Sequence, residues 1–190
     1  MKRFSAEQNL FPLEVALDLD YWRRLWAEAK KLSGQDRESA TKIVGALLDM
    51  NNLMWAIRYR VYHKLSEEEI INYTLPFGFR VRDEDVRAIA AGGGISAIVS
   101  RTFPSITDVN ALLERPETGL PKLEVQLKRQ VIRQCTNAFI GNPFHIGLPL
   151  AFLILSDLEI QDLVVLIEAK SSDALLEDFR SVLLKTSLLN

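Results

Sequence analysis

The chain has 190 residues, a length that allows one large domain or two small ones. Hydrophobic residues make up 48% and charged residues 25% of the sequence, as in an ordinary globular protein, and the formal net charge is −2. So weak a net charge argues against nucleic acid or an anionic lipid surface as the partner.

Cysteine content and hydropathy bear on the compartment. Cys135 is the only cysteine, so no internal disulfide can form and a reducing compartment is expected. The segment 1–14 lacks the apolar run of a signal peptide. The most apolar stretch, 144–155, contains Pro149 and is far shorter than the about 20 apolar residues of a membrane span. We therefore expect a buried core helix at this stretch and no membrane span.

Helical periodicity dominates the first part of the chain. Asp18 or Asp20 is expected to cap a helix that contains Trp22 and Trp26. In the segment 39–63 the apolar residues are spaced by 4, 3, 4, 3 and 4 positions, which predicts one stripe along a long helix. This stripe consists of Ile43, Leu47, Met50, Met54, Ile57 and Val61.

Several short helices are predicted next. Ser66 and Glu69 form a capping-box pattern, and Pro76 with Gly78 is expected to end the helix that they begin. Asp83 is expected to cap a second short helix. The remaining predicted elements of this region are 83–91, broken by the glycine run 92–94, then 95–101 and 105–114.

Three helices are predicted in the last third of the chain. Pro121 is expected to begin a long helix whose apolar face includes Cys135, and the run 141–143 to end it. The next helix is expected at about 148–170, with Pro149 in its first turn. Ser172 or Asp173 is expected to cap a final helix with apolar residues Leu175, Leu176, Phe179, Val182 and Leu183.

No segment predicts a strand, so the expected fold class is all-α, a multi-helix bundle with two similar lobes. The first lobe is placed at 1–82 and is built on the helix 39–63. A connector of short helices is placed at 83–118, and a C-terminal lobe at 119–190.

Candidate reactive groups give no recognisable active, cofactor or metal site. The glycine run 92–94 is interpreted as an interhelical turn, because nucleotide fingerprints need a preceding strand. His63 and His145 are far apart in sequence, and a metal site usually needs three or four ligands. His145 is expected to make a structural hydrogen bond, and Cys135 to be a buried, inert thiol.

Charged clusters are interpreted as surface. Three carboxylates of the helix at 148–170 suggest an acid–base pair, but a solvated or intersubunit face is the favoured interpretation. These carboxylates are Asp157, Glu159 and Asp162. Two basic groups are likewise interpreted as solvated faces that can meet an acidic partner. They are Arg58, Arg60 and Lys64, and Lys122, Lys128, Arg129 and Arg133.

Two segments, 47–78 and 139–184, resemble the C/d subunit family of V-type and archaeal-type rotary ATPases. The family repeats an Asp-x-x-Asn-Leu…Arg helix followed by a short Ser-Glu-Glu helix and a Pro-Gly turn, and its last unit has a Pro-Phe start and a Glu-x-x-x-Leu stretch. The matching residues here are Asp49, Asn52, Leu53, Arg58, Pro143, Phe144, Glu159 and Leu163. The family usually has Lys-Glu where this chain has Ser156-Asp157, and three lobes where this chain shows the last two.

The resemblance implies a non-catalytic subunit without a cofactor. In that family the subunit is a socket on the cytoplasmic side of the membrane. It receives the central shaft and sits on the proteolipid ring, so that torque passes between them. The resemblance therefore implies these two partners, in a complex that couples ion transport to ATP synthesis or hydrolysis.

Two other hypotheses stay open. A generic helical adaptor would use tryptophans as interface anchors, with Trp22, Trp26 and Trp55 as the candidates. A small enzyme would use His63 or His145.

Overall fold

A computed structural model describes residues 10–175 and 179–184. Over these residues the chain forms eight α-helices and no strand, so the all-α prediction is confirmed. None of these helices is both long enough and apolar enough to span a membrane. The helices are α1 (Phe11–Lys31), α2 (Gly34–Val61), α3 (Glu67–Asn72), α4 (Asp83–Ala90), α5 (Ile95–Thr102), α6 (Val109–Glu114), α7 (Pro116–Asn137) and α8 (Gly147–Ser171).

The first helix begins earlier than predicted. It starts at Phe11 with Pro12 in its first turn, where the missing proline N–H costs nothing. The prediction that Asp18 or Asp20 caps this helix is wrong, because both lie in its interior. Asp20 instead forms a surface ion pair with Arg24 at 2.8 Å.

Helix α2 is the central element of the bundle, in contact with α1, α7 and α8 as well as with α3 and α4. It includes the predicted segment 39–63 except for its last two residues, and Lys64 just beyond it takes a left-handed backbone conformation. Ile43, Met54 and Ile57 of the predicted stripe are buried. Because α2 has neighbours on several sides, its buried surface is wider than one stripe.

The short helices follow the predicted order with shifted ends. The capping box of Ser66 and Glu69 is present at the start of α3. The prediction that Asp83 caps α4 is off by one residue, because Arg82 is the N-cap and its N–H donates to the Asp85 carboxylate at 2.9 Å. Helix α6 begins at Val109, so the predicted segment 105–114 is helical only in its second half.

Helix α7 begins at Pro116, so the prediction that Pro121 begins it is wrong. Pro116 takes the first-turn position that suits proline, whereas Pro121 lies inside the helix and donates no hydrogen bond to the preceding turn. Gly119 allows α7 to lie against the backbone of Leu112 in α6, since an added Cβ would meet the Leu112 carbonyl oxygen at 1.7 Å.

One hydrophobic core cluster takes residues from all three predicted segments, for example Ile57 of α2, Ile89 of α4 and Leu127 of α7. The division of the chain into two lobes and a connector, with boundaries at 82 and 118, stays a prediction. The predicted final helix falls partly on residues 176–178, among them Leu176, which lie outside the described residues.

Candidate functional site

The motif of the first matched segment begins with Asp49, a buried carboxylate on α2. Its oxygens accept hydrogen bonds from the backbone N–H groups of Phe79 at 2.7 Å, Arg80 at 2.8 and 2.9 Å, and Val81 at 3.0 Å. Burial raises the pKa of this carboxyl, while the three N–H groups oppose that shift. Asp49 thereby fixes the turn at 79–81 to the middle of α2.

Asn52 holds the preceding part of the same loop, one helical turn further along α2. Its amide nitrogen donates to the carbonyl oxygens of Leu75 at 3.3 Å and Phe77 at 2.9 Å, and its amide oxygen accepts the Leu75 N–H. Leu53, beside it, is fully buried in the core. These motif residues thus fasten the loop that follows α3, and we assign them a structural role.

Arg58 links α2 to α7 rather than lying on a purely solvated face, which corrects the prediction for this residue. Its guanidinium contacts Glu124 of α7 at 2.5 Å, and Lys128 contacts the other oxygen of Glu124 at 3.0 Å. Lys128 also donates to Gln161 of α8 at 2.8 Å, and Gln161 donates to Asp157 at 2.8 Å. This chain of polar contacts fixes the positions of α2, α7 and α8 relative to one another.

The motif residues of the second matched segment lie at the surface. Pro143, Phe144, Glu159 and Leu163 are all exposed, and Phe144 is 89% exposed. The segment 142–146 is attached to the start of α2, because the Ile146 N–H donates to Asp36 at 2.8 Å. The two halves of the motif therefore differ: the first is built into the interior and the second is presented to the outside.

The outer face of α8 is an exposed apolar surface, so the prediction of a buried core helix at 144–155 is wrong for this face. The helix packs on α2 and α7 through Ala151, Leu158, Asp162 and Ala169. The opposite side carries large apolar residues that are between 47% and 67% exposed. We call these residues the α8 outer face: Phe152, Leu153, Ile160, Leu163, Val164 and Ile167. Contiguous exposed apolar surface of this kind marks interaction sites.

Asp162 is buried, so its prediction as part of a solvated face is wrong. Its carboxylate accepts the backbone N–H of Leu184 at 2.8 Å. Arg129 of α7 donates to the carbonyl oxygens of Leu183 at 3.0 Å and Leu184 at 3.3 Å. Together they fasten the segment 183–184 against α7 and α8, a role that spacing in the sequence does not reveal.

The candidate reactive groups of the sequence, His63, His145 and Cys135, do not lie together as a site. No group of His, Cys, Asp and Glu residues in the described part of the chain has the arrangement of a metal site. The His63 ring lies against Phe11 and Tyr59. The buried Nδ1 of His145 has no hydrogen-bond partner in this part of the chain, so the predicted structural bond is not formed there.

Two other predictions are confirmed. Cys135 is fully buried as predicted, and burial raises the pKa of its thiol to about 11; that the thiol is inert stays a prediction. The glycine run 92–94 forms a turn between α4 and α5, in which Gly92 has a φ of 87° that favours glycine.

The tryptophans that an adaptor would use as anchors lie against the core. Trp26 is buried, and Trp22 and Trp55 are partly buried against the same cluster. The exposed apolar residues of the α8 outer face are therefore stronger candidates for an interface than the tryptophans.

Comparison with known proteins identifies the family. The family model described as ATP synthase (C/AC39) subunit matches residues 1–178. The chain belongs to this family. It is similar to the C subunit of the A-type ATP synthase of Methanocaldococcus jannaschii, with 23% identity over 188 residues, 97% of this chain and 47% of the relative. It is also similar to the C subunit of the A-type ATP synthase of Methanothermobacter thermautotrophicus, with 27% identity over 171 residues, 85% of this chain and 43% of the relative.

The chain thus spans about half the length of the curated relatives it matches. No solved structure matches it. The family membership predicted from the two motif segments is confirmed.

Proposed function

We propose that the chain is a non-catalytic part of a rotary V/A-type ATPase, lying at the cytoplasmic face of the membrane and linking the central shaft to the proteolipid ring. Family membership is the observation that carries this proposal, since both curated relatives are named as the C subunit of an A-type ATP synthase. The resemblance of the two motif segments supplies the socket role within that complex.

The internal architecture suits a part that transmits force. Asp49 and Asn52 fasten the loop after α3 to α2, and the contacts of Arg58, Glu124 and Lys128 link helices that are distant in sequence. Buried and partly buried polar contacts of this kind resist sliding between helices, because each broken contact leaves a polar group without its partner. A torque applied at one end of the bundle is then carried by the bundle as a unit.

The α8 outer face is the contact surface that we assign to this role. Subunit interfaces bury apolar residues at their centre, and this face offers six large apolar side chains along one helix. Around it lie Asp157, Glu159 and Glu168, so it has a polar rim of the kind found at protein–protein interfaces. The partner we infer is another subunit of the rotary ATPase.

Affinity purification tests the proposal. The tagged chain, expressed in cells that encode a V/A-type ATPase, should co-purify with the shaft subunit and the proteolipid subunit from solubilised membranes. The double variant Leu163→Lys and Ile167→Lys should lose this recovery, because both substitutions place a charge on the α8 outer face.

Leu17→Lys is the matched control, since Leu17 is an equally exposed apolar residue on α1. It should leave co-purification unchanged. Recovery of neither ATPase subunit with the native sequence would contradict the proposal, and reproducible recovery of one unrelated protein through the α8 outer face would favour the helical adaptor instead.

A further inference from the structure

An open cleft lies between α2, the turn at 79–80 and α7. It has two adjoining chambers, of about 450 Å³ and about 240 Å³. The residues that line both chambers are Lys42, Phe79, Arg80, Gln134 and Asn137. Neither the helix motifs nor the proposed rotary role accounts for this cleft.

The smaller chamber carries a local excess of positive charge. Its lining includes three cations, Lys42, Arg80 and Arg133, and one carboxylate, Asp49. Because Glu38 of the larger chamber pairs with Lys42, the five charged groups of the cleft leave an excess of one positive charge. The Asp49 oxygens accept hydrogen bonds from backbone N–H groups of the turn, and the positive charge of Arg80 also acts to lower the pKa of this carboxyl.

Both arginines of the chamber have N–H donors that can bind an anion. Among the described residues, neither guanidinium takes part in an ion pair, whereas Lys42 pairs with Glu38 at 2.6 Å. Arg133 donates one hydrogen bond to the Ser105 hydroxyl at 3.2 Å, which leaves the other N–H groups of its guanidinium for a ligand. Asp49 holds the backbone of Arg80 in place, so this arginine is positioned by the interior of the fold.

The rest of the lining suits an organic group attached to that anion. The side-chain amides of Gln134 and Asn137 add neutral donors where the chambers meet. The larger chamber is lined by Phe79 together with Ile43 and Ile140, which offer apolar surface. Its volume lies within the range of sites that hold small organic ligands.

We propose that this cleft binds a phosphate ester of a small organic molecule, with the phosphate in the smaller chamber. A phosphate monoester carries close to two negative charges at neutral pH, and its oxygens match the paired donors of two guanidinium groups. A carboxylate or a sulfate ester carries one negative charge, so the two guanidinium groups attract it less strongly than a phosphate dianion. The organic part extends past Phe79 into the larger chamber.

NMR titration with phenyl phosphate tests this site, with phenyl sulfate and inorganic phosphate as comparison ligands. Phenyl phosphate should shift the backbone amide signals of Phe79 and Arg80 in a saturable way, and it should bind more tightly than either comparison ligand. Arg80→Gln and Arg133→Gln should each weaken binding by about tenfold, since each removes charge-assisted hydrogen bonds.

Arg82→Gln is the matched control, because it removes the same charge two residues from Arg80 but outside the lining of both chambers. It should change the affinity by less than about twofold, as expected for an exposed charge that does not touch the ligand. Absence of saturable shifts at Phe79 and Arg80, equal affinity for phenyl sulfate, or equal weakening by Arg82→Gln would each overturn the proposal.

Discussion

Asn52 and Leu75 exchange two hydrogen bonds across 23 residues of chain, one from the Leu75 N–H at 2.9 Å and one to its carbonyl at 3.3 Å. Both residues are buried, so no water replaces these bonds if the amide is removed. Asn52→Ala should therefore lower the free energy of unfolding by about 2 kcal/mol or more, the usual cost of buried polar groups without partners. Urea denaturation followed by circular dichroism measures this difference.

Asn51→Ala provides the control for helix propensity, because Asn51 is only partly buried and next to Asn52 in α2. It should leave the free energy of unfolding nearly unchanged. Equal effects of the two substitutions would show that the contact with Leu75 does not hold the loop.

The carboxyl of Asp49 predicts a pH dependence of stability. Burial raises its pKa in the folded protein above the ordinary value, so the folded state binds this proton more tightly than the unfolded state. The contribution of this proton to stability is complete in acid, below the unfolded pKa of about 4, and is lost as the pH rises through the higher folded pKa. The unfolding free energy of the native sequence relative to Asp49→Asn should thus decrease between acid and neutral pH.

Urea denaturation of both proteins at a series of pH values checks this sign. Glu14→Gln, at an exposed carboxylate of α1, controls for the loss of one negative charge. A difference between native protein and Asp49→Asn that grows as the pH rises would be evidence against the raised pKa.

The thiol of Cys135 should be unreactive in the folded protein. Its pKa is raised to about 11 by burial, so at pH 8 only about one thiol in a thousand is ionised, and reagents reach it only after the helices separate. Titration with a chromogenic disulfide reagent should detect no rapid reaction in buffer and one thiol per chain in guanidinium chloride. Rapid stoichiometric labelling of the folded protein would mean that α7 does not bury this face.

Gly119 is predicted to be intolerant of a side chain. An added Cβ would lie 1.7 Å from the Leu112 carbonyl oxygen, so α6 and α7 would have to separate. Gly119→Ala should lower the free energy of unfolding by about 2–3 kcal/mol, in spite of the better helix propensity of alanine. Thermal denaturation measures this loss of stability. In the same assay Thr118→Ala, at the exposed neighbouring position, should have little effect. An unchanged or higher melting temperature for Gly119→Ala would refute the close contact.

The helices could be predicted from the sequence because their signals are local. The 4-3-4-3 apolar spacing of α2 and the capping box of Ser66 and Glu69 each lie within a few turns of chain. The starts of α1 and α7 were harder to predict, because the sequence has further helix-start signals after the true ones. Asp18 and Asp20 follow Pro12, and Pro121 follows Pro116. A proline accepted in the first turn gives the same sequence signal as a proline inside the helix.

The functions of the buried polar residues could not be predicted from spacing. Asp49 binds backbone groups about 30 residues away, and Asp162 binds a backbone group 22 residues away. Because these partners are backbone N–H groups, the residue types at their positions give no sign of the contact. The α8 outer face was also missed, because an apolar helix has the same composition whether one or both of its faces are covered.

Site-specific photo-cross-linking tests the central claim most directly. A photoreactive amino acid replaces Ile167 on the α8 outer face in one variant and Leu17 in a comparison variant. Each variant is irradiated in membranes that contain the assembled ATPase. We expect Ile167 to cross-link to another subunit of the rotary ATPase and Leu17 to do so far less. Cross-links from Ile167 only to proteins outside the ATPase, or to no protein at all, would contradict the account.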